Sequence, residues 1–226
     1  MALTTIGLMA LLGCFTGFMA GLLGIGGGMI ITPFLIMLIP SSLIPHEHIV
    51  HVAIATSLAT IAFTSLSSVR AHHKRGAVLW NVVASVAPGI LVGAVVGAQI
   101  AGWLPTFWLS LIFAAFVGFS AFKMFLNKSP RPDRNLPGTI GKFFMGIAIG
   151  ILSALVGAGG GFISVPWMIW CNVKMQNAVA TSAAFGFPIA LFGTIGYIIS
   201  GWNVSGLPPW PIDLGYICIP ALFSVA

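Results

Sequence analysis

Residues 13–33 read GCFTGFMAGLLGIGGGMIITP, and residues 146–166 read GIAIGILSALVGAGGGFISVP. Superposed at a shift of 133 positions, the two share nine of 21 residues, at Gly13, Gly17, Leu22, Gly24, Gly26, Gly27, Gly28, Ile30 and Pro33. Each stretch is apolar and carries three successive glycines. A glycine weakens a helix by about 1 kcal/mol relative to alanine, so neither stretch favours unbroken helix through Gly24–Gly28 or Gly157–Gly161. A second block follows each glycine cluster: AIATSLA at 53–59 and AVATSAA at 178–184 agree in five of seven positions. Glycine cluster, proline and ATS recur in one order, which predicts an internal duplication. Residues 1–126 form the first transmembrane repeat and 142–226 the second. The Pro-, Gly- and polar-rich stretch NKSPRPDRNLPGTIG at 127–141 is the linker between them.

Composition sets the solvent. Apolar residues make up 58% of the 226, and charged residues only 5%, against about 25% in an ordinary soluble domain. Nine Lys plus Arg and three Asp plus Glu are too few to cover a water-facing surface, so the remainder faces lipid. The initial apolar run lacks a basic n-region and a small-residue cleavage site and is not a signal peptide. A crossing helix needs about 20 apolar residues. Seven segments qualify as candidates: Leu3 to Pro40, Ile49 to Val69, Ala77 to Leu104, Thr106 to Phe122, Phe143 to Trp170, Ala178 to Ser200 and Ile212 to Ala226. As one helix the first would measure roughly 57 Å, so it breaks or re-enters at its glycines. The last is short, and the second repeat reads as truncated at its C-terminal end. The expected fold is therefore an all-α, polytopic transmembrane helical bundle with an internal repeat and two Gly-rich broken or re-entrant segments.

Eight of the nine basic residues lie in two short loops, Arg70, Lys74 and Arg75 in one, and Lys123, Lys128, Arg131, Arg134 and Lys142 in the other. The positive-inside rule places loops 70–76 and 123–142 on the cytoplasmic side of the membrane. The net charge of +6 thus reports topology, and no basic helical face points to nucleic acid. Lys174 stands apart and is expected at the outer mouth as an interfacial lysine. Trp80, Trp103, Trp108, Trp202 and Trp210 sit near segment ends, as interfacial anchors do. Cys14, Cys171 and Cys218 lie in apolar segments without metal-ligand spacing. They read as packing residues, and neither metal nor cofactor is expected.

Irregular backbone survives at membrane depth only where protein or a watery cavity covers it. Gly24, Gly26, Gly27 and Gly28, and Gly157, Gly159, Gly160 and Gly161, are accordingly expected to point inward. Their amides can converge as an anion-binding nest. A half-helix beginning at Met29 or Phe162 would add its positive dipole end. Thr56, Ser57, Thr181 and Ser182 supply hydroxyls at matching places, although in lipid such hydroxyls also bond helix carbonyls. Gly13, Gly17, Gly21 and Gly89, Gly93, Gly97, spaced by four, read as helix-packing residues. His51 aligns with Gln176, and both are candidates for gating or proton coupling. The adjacent His46, Glu47 and His48 point instead to a surface position for His51.

The run Gly17-x3-Gly21-Leu-Leu-Gly-Ile-Gly-Gly-Gly28 with Pro33, its echo Ala154-Leu-Val-Gly-Ala-Gly-Gly-Gly161 with Pro166, and the paired ATS segments resemble the TauE/SafE sulfite exporter family of membrane permeases. The resemblance implies an inner-membrane permease for sulfur-containing anions such as sulfite, sulfoacetate, other organosulfonates or thiosulfate. It also implies a longer chain with about eight spans. The expected partners are a small inorganic or organosulfur anion and the lipid bilayer, with homo-oligomers an open alternative. An anion channel with the same filter and a non-transporting membrane subunit are the rival readings. An enzyme is not expected, because the acidic residues, Glu47, Asp133 and Asp213, lie near or in loops.

Overall fold

The computed structural model describes residues 13, 15, 18, 28–38, 44–125, 136–202, 204 and 213–218. Gly13, Phe15 and Phe18 are helical. Seven helices have described bounds: α1 Gly28–Leu38, α2 Ile49–Lys74, α3 Trp80–Trp103, α4 Thr106–Phe125, α5 Thr139–Val156, α6 Gly161–Trp170 and α7 Met175–Gly201. A short antiparallel hairpin, β1 Asp213–Leu214 and β2 Ile217–Cys218, follows. Helices α2, α3, α5 and α7 are each long and apolar enough to cross a membrane, while α1 and α6 are short apolar helices. This is a multi-pass helical membrane protein.

The stretch Phe143 to Trp170 divides into α5 and α6 at its glycine cluster, where the glycines disfavour unbroken helix. One expectation about the segments changes. Ile212 to Ala226 does not start as a helix, because residues 213–218 form the hairpin, turned through Gly215 at φ +61°. The hairpin is pinned against the end of α7, where any Cβ on Gly201 would lie 2.6 Å from the Tyr216 nitrogen. The remainder, 219–226, lies outside the described residues, as does most of Leu3 to Pro40.

Side-chain pairings fix the course of each helix. Leu58 meets Gly193 and Ser65 meets Gly186, so α2 and α7 are antiparallel. Ala98 meets Gly196 and Gly102 meets Ser200, so α3 runs parallel to α7. Helix α3 also runs parallel to α5, through the successive contacts of Gly89 with Phe143, Gly93 with Ile147 and Gly97 with Ile151. Gly146 and Gly150 return that contact against Val86 and Ile90. Backbone therefore lies on backbone along this seam, as small residues permit in membranes.

Gly160 lies by Ile189, and Ser164 bonds Ser182 further back along α7, so α6 is antiparallel to α7. Helix α5 thus rises from the face where α2 ends in Lys74 and Arg75, and α6 returns to that same face. At about 1.5 Å per residue, α6 is roughly 15 Å long, half a bilayer core. This course corrects the position of Lys174. The residue caps the start of α7, which lies beside Leu79, on the face of Arg70, Lys74 and Arg75 rather than opposite it.

The core runs along the first half of α2, where every residue from Ile49 to Ile61 is buried. Its Ala, Thr and Ser side chains let α1, α7 and the hairpin approach closely. Phe107, Trp108, Leu111, Phe119 and Phe122 leave α4 with a broad exposed apolar surface, which suits lipid. Trp80, Trp103, Trp108 and Trp202 are exposed near helix ends, as interfacial anchors are. Trp210 lies outside the described residues.

Candidate functional site

Helix α5 ends because Gly157 takes the left-handed conformation at φ +66° and ψ 33°, its amide and that of Ala158 both bonding the Ser153 carbonyl. Helix α6 starts after Gly160, also left-handed at φ +78°. Both positions favour glycine, since a Cβ there costs roughly 1–2 kcal/mol. Between them the backbone turns while buried: Gly157, Ala158, Gly159, Gly160 and Gly161 are all buried.

The amides of Gly159, Gly160, Gly161 and Phe162 have no acceptor among the described residues. The last two are first-turn amides of α6, which a helix leaves unpaired. A buried, unpaired polar group costs about 1–3 kcal/mol, so four together call for a partner. The positive end of the α6 dipole falls at the same place.

Ser153 Oγ joins them. It is 1% exposed and has no hydrogen-bond partner among the described residues, and it lies 3.4 Å from where a Cβ on Gly160 would be. Sequence reading passed over it. The signal was there, since superposing the two glycine stretches puts Ser153 opposite Ala20, a hydroxyl in one copy and a methyl in the other.

Gly28 reaches this turn from the other glycine cluster. A Cβ on it would fall 2.0 Å from the Gly157 carbonyl oxygen, so the two backbones touch. Gly24, Gly26 and Gly27 lie outside the described residues. The Thr32 hydroxyl donates to the Gly28 carbonyl at 2.9 Å and is positioned to accept from Ser57 Oγ at 2.9 Å. Ser57 Oγ also faces the Ile54 and Gly157 carbonyls, at 3.1 and 3.4 Å. In the second half of the chain, Ser164 Oγ lies 2.9 Å from both the Gly160 carbonyl and Ser182 Oγ. Each ATS serine is thus tied to a hydroxyl on the short helix after a glycine cluster.

The two ATS threonines reach across the chain. Thr181 Oγ1 accepts the Leu79 amide at 3.0 Å, and Thr56 Oγ1 accepts the Cys218 amide at 3.1 Å. All four ATS hydroxyls are fully buried and have structural partners. Accepting leaves each threonine its own proton to give. Thr56→Val strands a buried amide and Thr181→Val a part-buried one, at an expected cost of about 1–3 kcal/mol for the first and less for the second. Thermal unfolding in detergent measures this, and an unchanged midpoint in both variants would remove these bonds from the stabilising set.

His51 corrects the surface expectation, being 2% exposed. Its Nε2 lies 3.0 Å from the carbonyls of both Ala101 and Leu104, so Nε2 carries the proton. Carbonyls at the end of a helix have spare acceptor capacity, and His51 gives a side-chain donor to that of Leu104 and to that of Ala101, which also accepts the Leu104 amide. The ring stacks on Tyr216 with centroids 5.1 Å apart, and Thr106 Oγ1 lies 3.4 Å from Nδ1. Gln176, its counterpart by alignment, is exposed in the first turn of α7. Neither residue lies in the glycine turn. Cys171 and Cys218 are buried, Cys14 lies outside the described residues, and the described residues hold no His, Cys, Asp and Glu group able to bind a metal ion.

Comparison with known proteins fits this architecture. The sulfite exporter TauE/SafE family matches residues 9–226. A probable membrane transporter protein of Haemophilus influenzae is 34% identical over 98% of this chain and 84% of its own length. One from Bacillus subtilis is 30% identical, covering 82% of this chain and 76% of the relative. No solved structure matches. The chain belongs to the sulfite exporter TauE/SafE family, and that membership places it among membrane transporters.

Proposed function

We propose that the chain carries a small anion, sulfite or an organosulfonate, across the bacterial inner membrane. It does so as two repeats, 1–126 and 142–226, joined by the linker 127–141, with the helix ends and connections at 70–76 and 123–142 in the cytoplasm. The observation that carries this reading is the buried turn at Gly157–Gly161, where the amides of Gly159, Gly160 and Gly161, with that of Phe162 just after it, lack an acceptor among the described residues. Backbone donors suit an oxyanion that must also leave, since they attract it without the grip of a fixed charge.

Opposed courses support the same reading. Antiparallel α2 and α7 suit repeats of inverted topology, the arrangement in which broken helices meet around a midplane site. Gly24, Gly26 and Gly27 complete the site from the first repeat beside Gly28, with Thr56, Ser57, Thr181 and Ser182 in support. His51, buried at the face opposite the basic loops, is the candidate for proton coupling, with Gln176 at the other face.

The test is stabilisation of the purified protein against heating by sulfite, sulfate, thiosulfate, taurine and sulfoacetate, followed by flux in proteoliposomes. The expected result is a concentration-dependent upward shift with at least one sulfur oxyanion and saturable, competitive flux of the same solute. A pH gradient imposed on the same vesicles tests the coupling. No stabilisation by any of them sinks the reading, and flux that does not saturate makes the protein a channel.

A further inference from the structure

We infer that Ser153 is the side-chain ligand of the transported anion and that the site it completes takes a singly charged oxyanion in preference to a doubly charged one. The inference rests on the anion reading above and goes beyond it in naming a residue and a charge class. Two independent observations meet here. The first is the set of amides at Gly159, Gly160, Gly161 and Phe162, unpaired among the described residues. The second is the Ser153 hydroxyl, nine-tenths and more buried, without a partner among the described residues, and directed at Gly160. A serine in a membrane helix ordinarily bonds a carbonyl one turn back, as Ser164 does to Gly160 and Ser85 to Asn81. Ser153 does not.

Charge class follows from what surrounds the turn. No Lys or Arg is buried among the described residues, and the sequence has no charged residue between Lys142 and Lys174. Amides and one hydroxyl supply partial positive charge equivalent to about half an elementary charge at a helix end. That can offset one negative charge. The second charge of a dianion would be desolvated with nothing of opposite sign beside it, and burying an uncompensated ion is expensive. Asymmetry between the copies sharpens the assignment: Ala20 stands where the first copy would carry the serine, so the anion sits closer to the α5–α6 turn than to its counterpart.

The experiment uses the purified full chain in nanodiscs, with methanesulfonate as a permanent monoanion and sulfate as a dianion, and reads binding by titration calorimetry. Wild type is expected to bind methanesulfonate at least about tenfold more tightly than sulfate. Ser153→Ala is expected to weaken methanesulfonate binding by about tenfold, the usual effect of losing a hydrogen bond to a charged group. In the absence of anion, Ser153→Ala should unfold at the same or a higher temperature than wild type, because a buried hydroxyl with no partner destabilises the fold. Unchanged methanesulfonate affinity in Ser153→Ala, a lower unfolding temperature without anion, or equal binding of sulfate in wild type each overturns the inference while leaving an anion site standing. Wild type that binds neither probe overturns it together with the reading beneath it.

Discussion

Gly28→Ala is expected to abolish the proposed anion flux while leaving most of the helical content in place. The added methyl would sit 2.0 Å from the Gly157 carbonyl oxygen and 2.5 Å from Ile61 Cδ1. Ile61 can turn aside. The carbonyl cannot, because it belongs to a turn whose φ is already fixed on the left-handed side at Gly157. Either α1 or the turn must retreat by about 1 Å, and misplacement on that scale costs on the order of 100-fold in processes that depend on fixed geometry. The retreat also disturbs Ser57, whose Oγ stands within hydrogen-bonding distance of both Thr32 Oγ1 and the Gly157 carbonyl. Flux into proteoliposomes at matched protein content, with circular dichroism as the check on folding, measures the effect. Wild-type flux in Gly28→Ala would mean that the meeting of the two glycine clusters is irrelevant to transport.

Gly93→Leu should prevent assembly altogether, and Gly93→Ala should be strongly destabilising. Any Cβ at Gly93 falls 2.3 Å from the Ile147 carbonyl oxygen and 2.9 Å from two further backbone atoms of Ile147. Gly89 and Gly97 stand in the same relation to Phe143 and Ile151. A single methyl therefore wedges two helices apart along a seam of several turns. Overpacking in a well-packed core costs about 1–3 kcal/mol and occasionally more. Between membrane helices, close packing is itself the main attraction, so its loss has little to offset it. Size-exclusion profile and unfolding midpoint in detergent are the readouts, and a monodisperse Gly93→Leu with a wild-type midpoint would contradict the packing described for α3 and α5.

Much of this was legible from residue types alone. The scarcity of charge demanded lipid, and the four-residue spacing of Gly89, Gly93 and Gly97 marked a packing seam because only small side chains let helix axes approach. Three successive glycines foretold the interruption between α5 and α6. What could not be read was direction. Periodicity is the same whichever way a helix runs, so the return of α6 to its starting face, and with it the position of Lys174, emerged only from contacts such as Gly160 with Ile189.

His51 misled for a related reason. Its neighbours in sequence, His46 and Glu47, are exposed, but the carbonyls it serves belong to Ala101 and Leu104, some fifty residues away. Ser153 was missed because one serine among apolar residues looks unremarkable until its lack of a partner is seen. The hydroxyls of Thr56, Ser57, Thr181 and Ser182 were easy to pick out, yet their bonds to Leu79, Cys218, Thr32 and Ser164 show how much of their role is architectural.

Among the described residues, the turn between α5 and α6 offers only peptide nitrogens and an alcohol, and neither gains or loses a proton under conditions a cell survives. On the anion reading, its affinity for a strong-acid passenger is expected to be flat across the physiological range. For a diprotic passenger whose singly charged form it takes, affinity is expected to decline as alkalinity strips the last hydrogen away. Any acidity threshold in the transport cycle must then be set by the cargo or by groups beyond that turn.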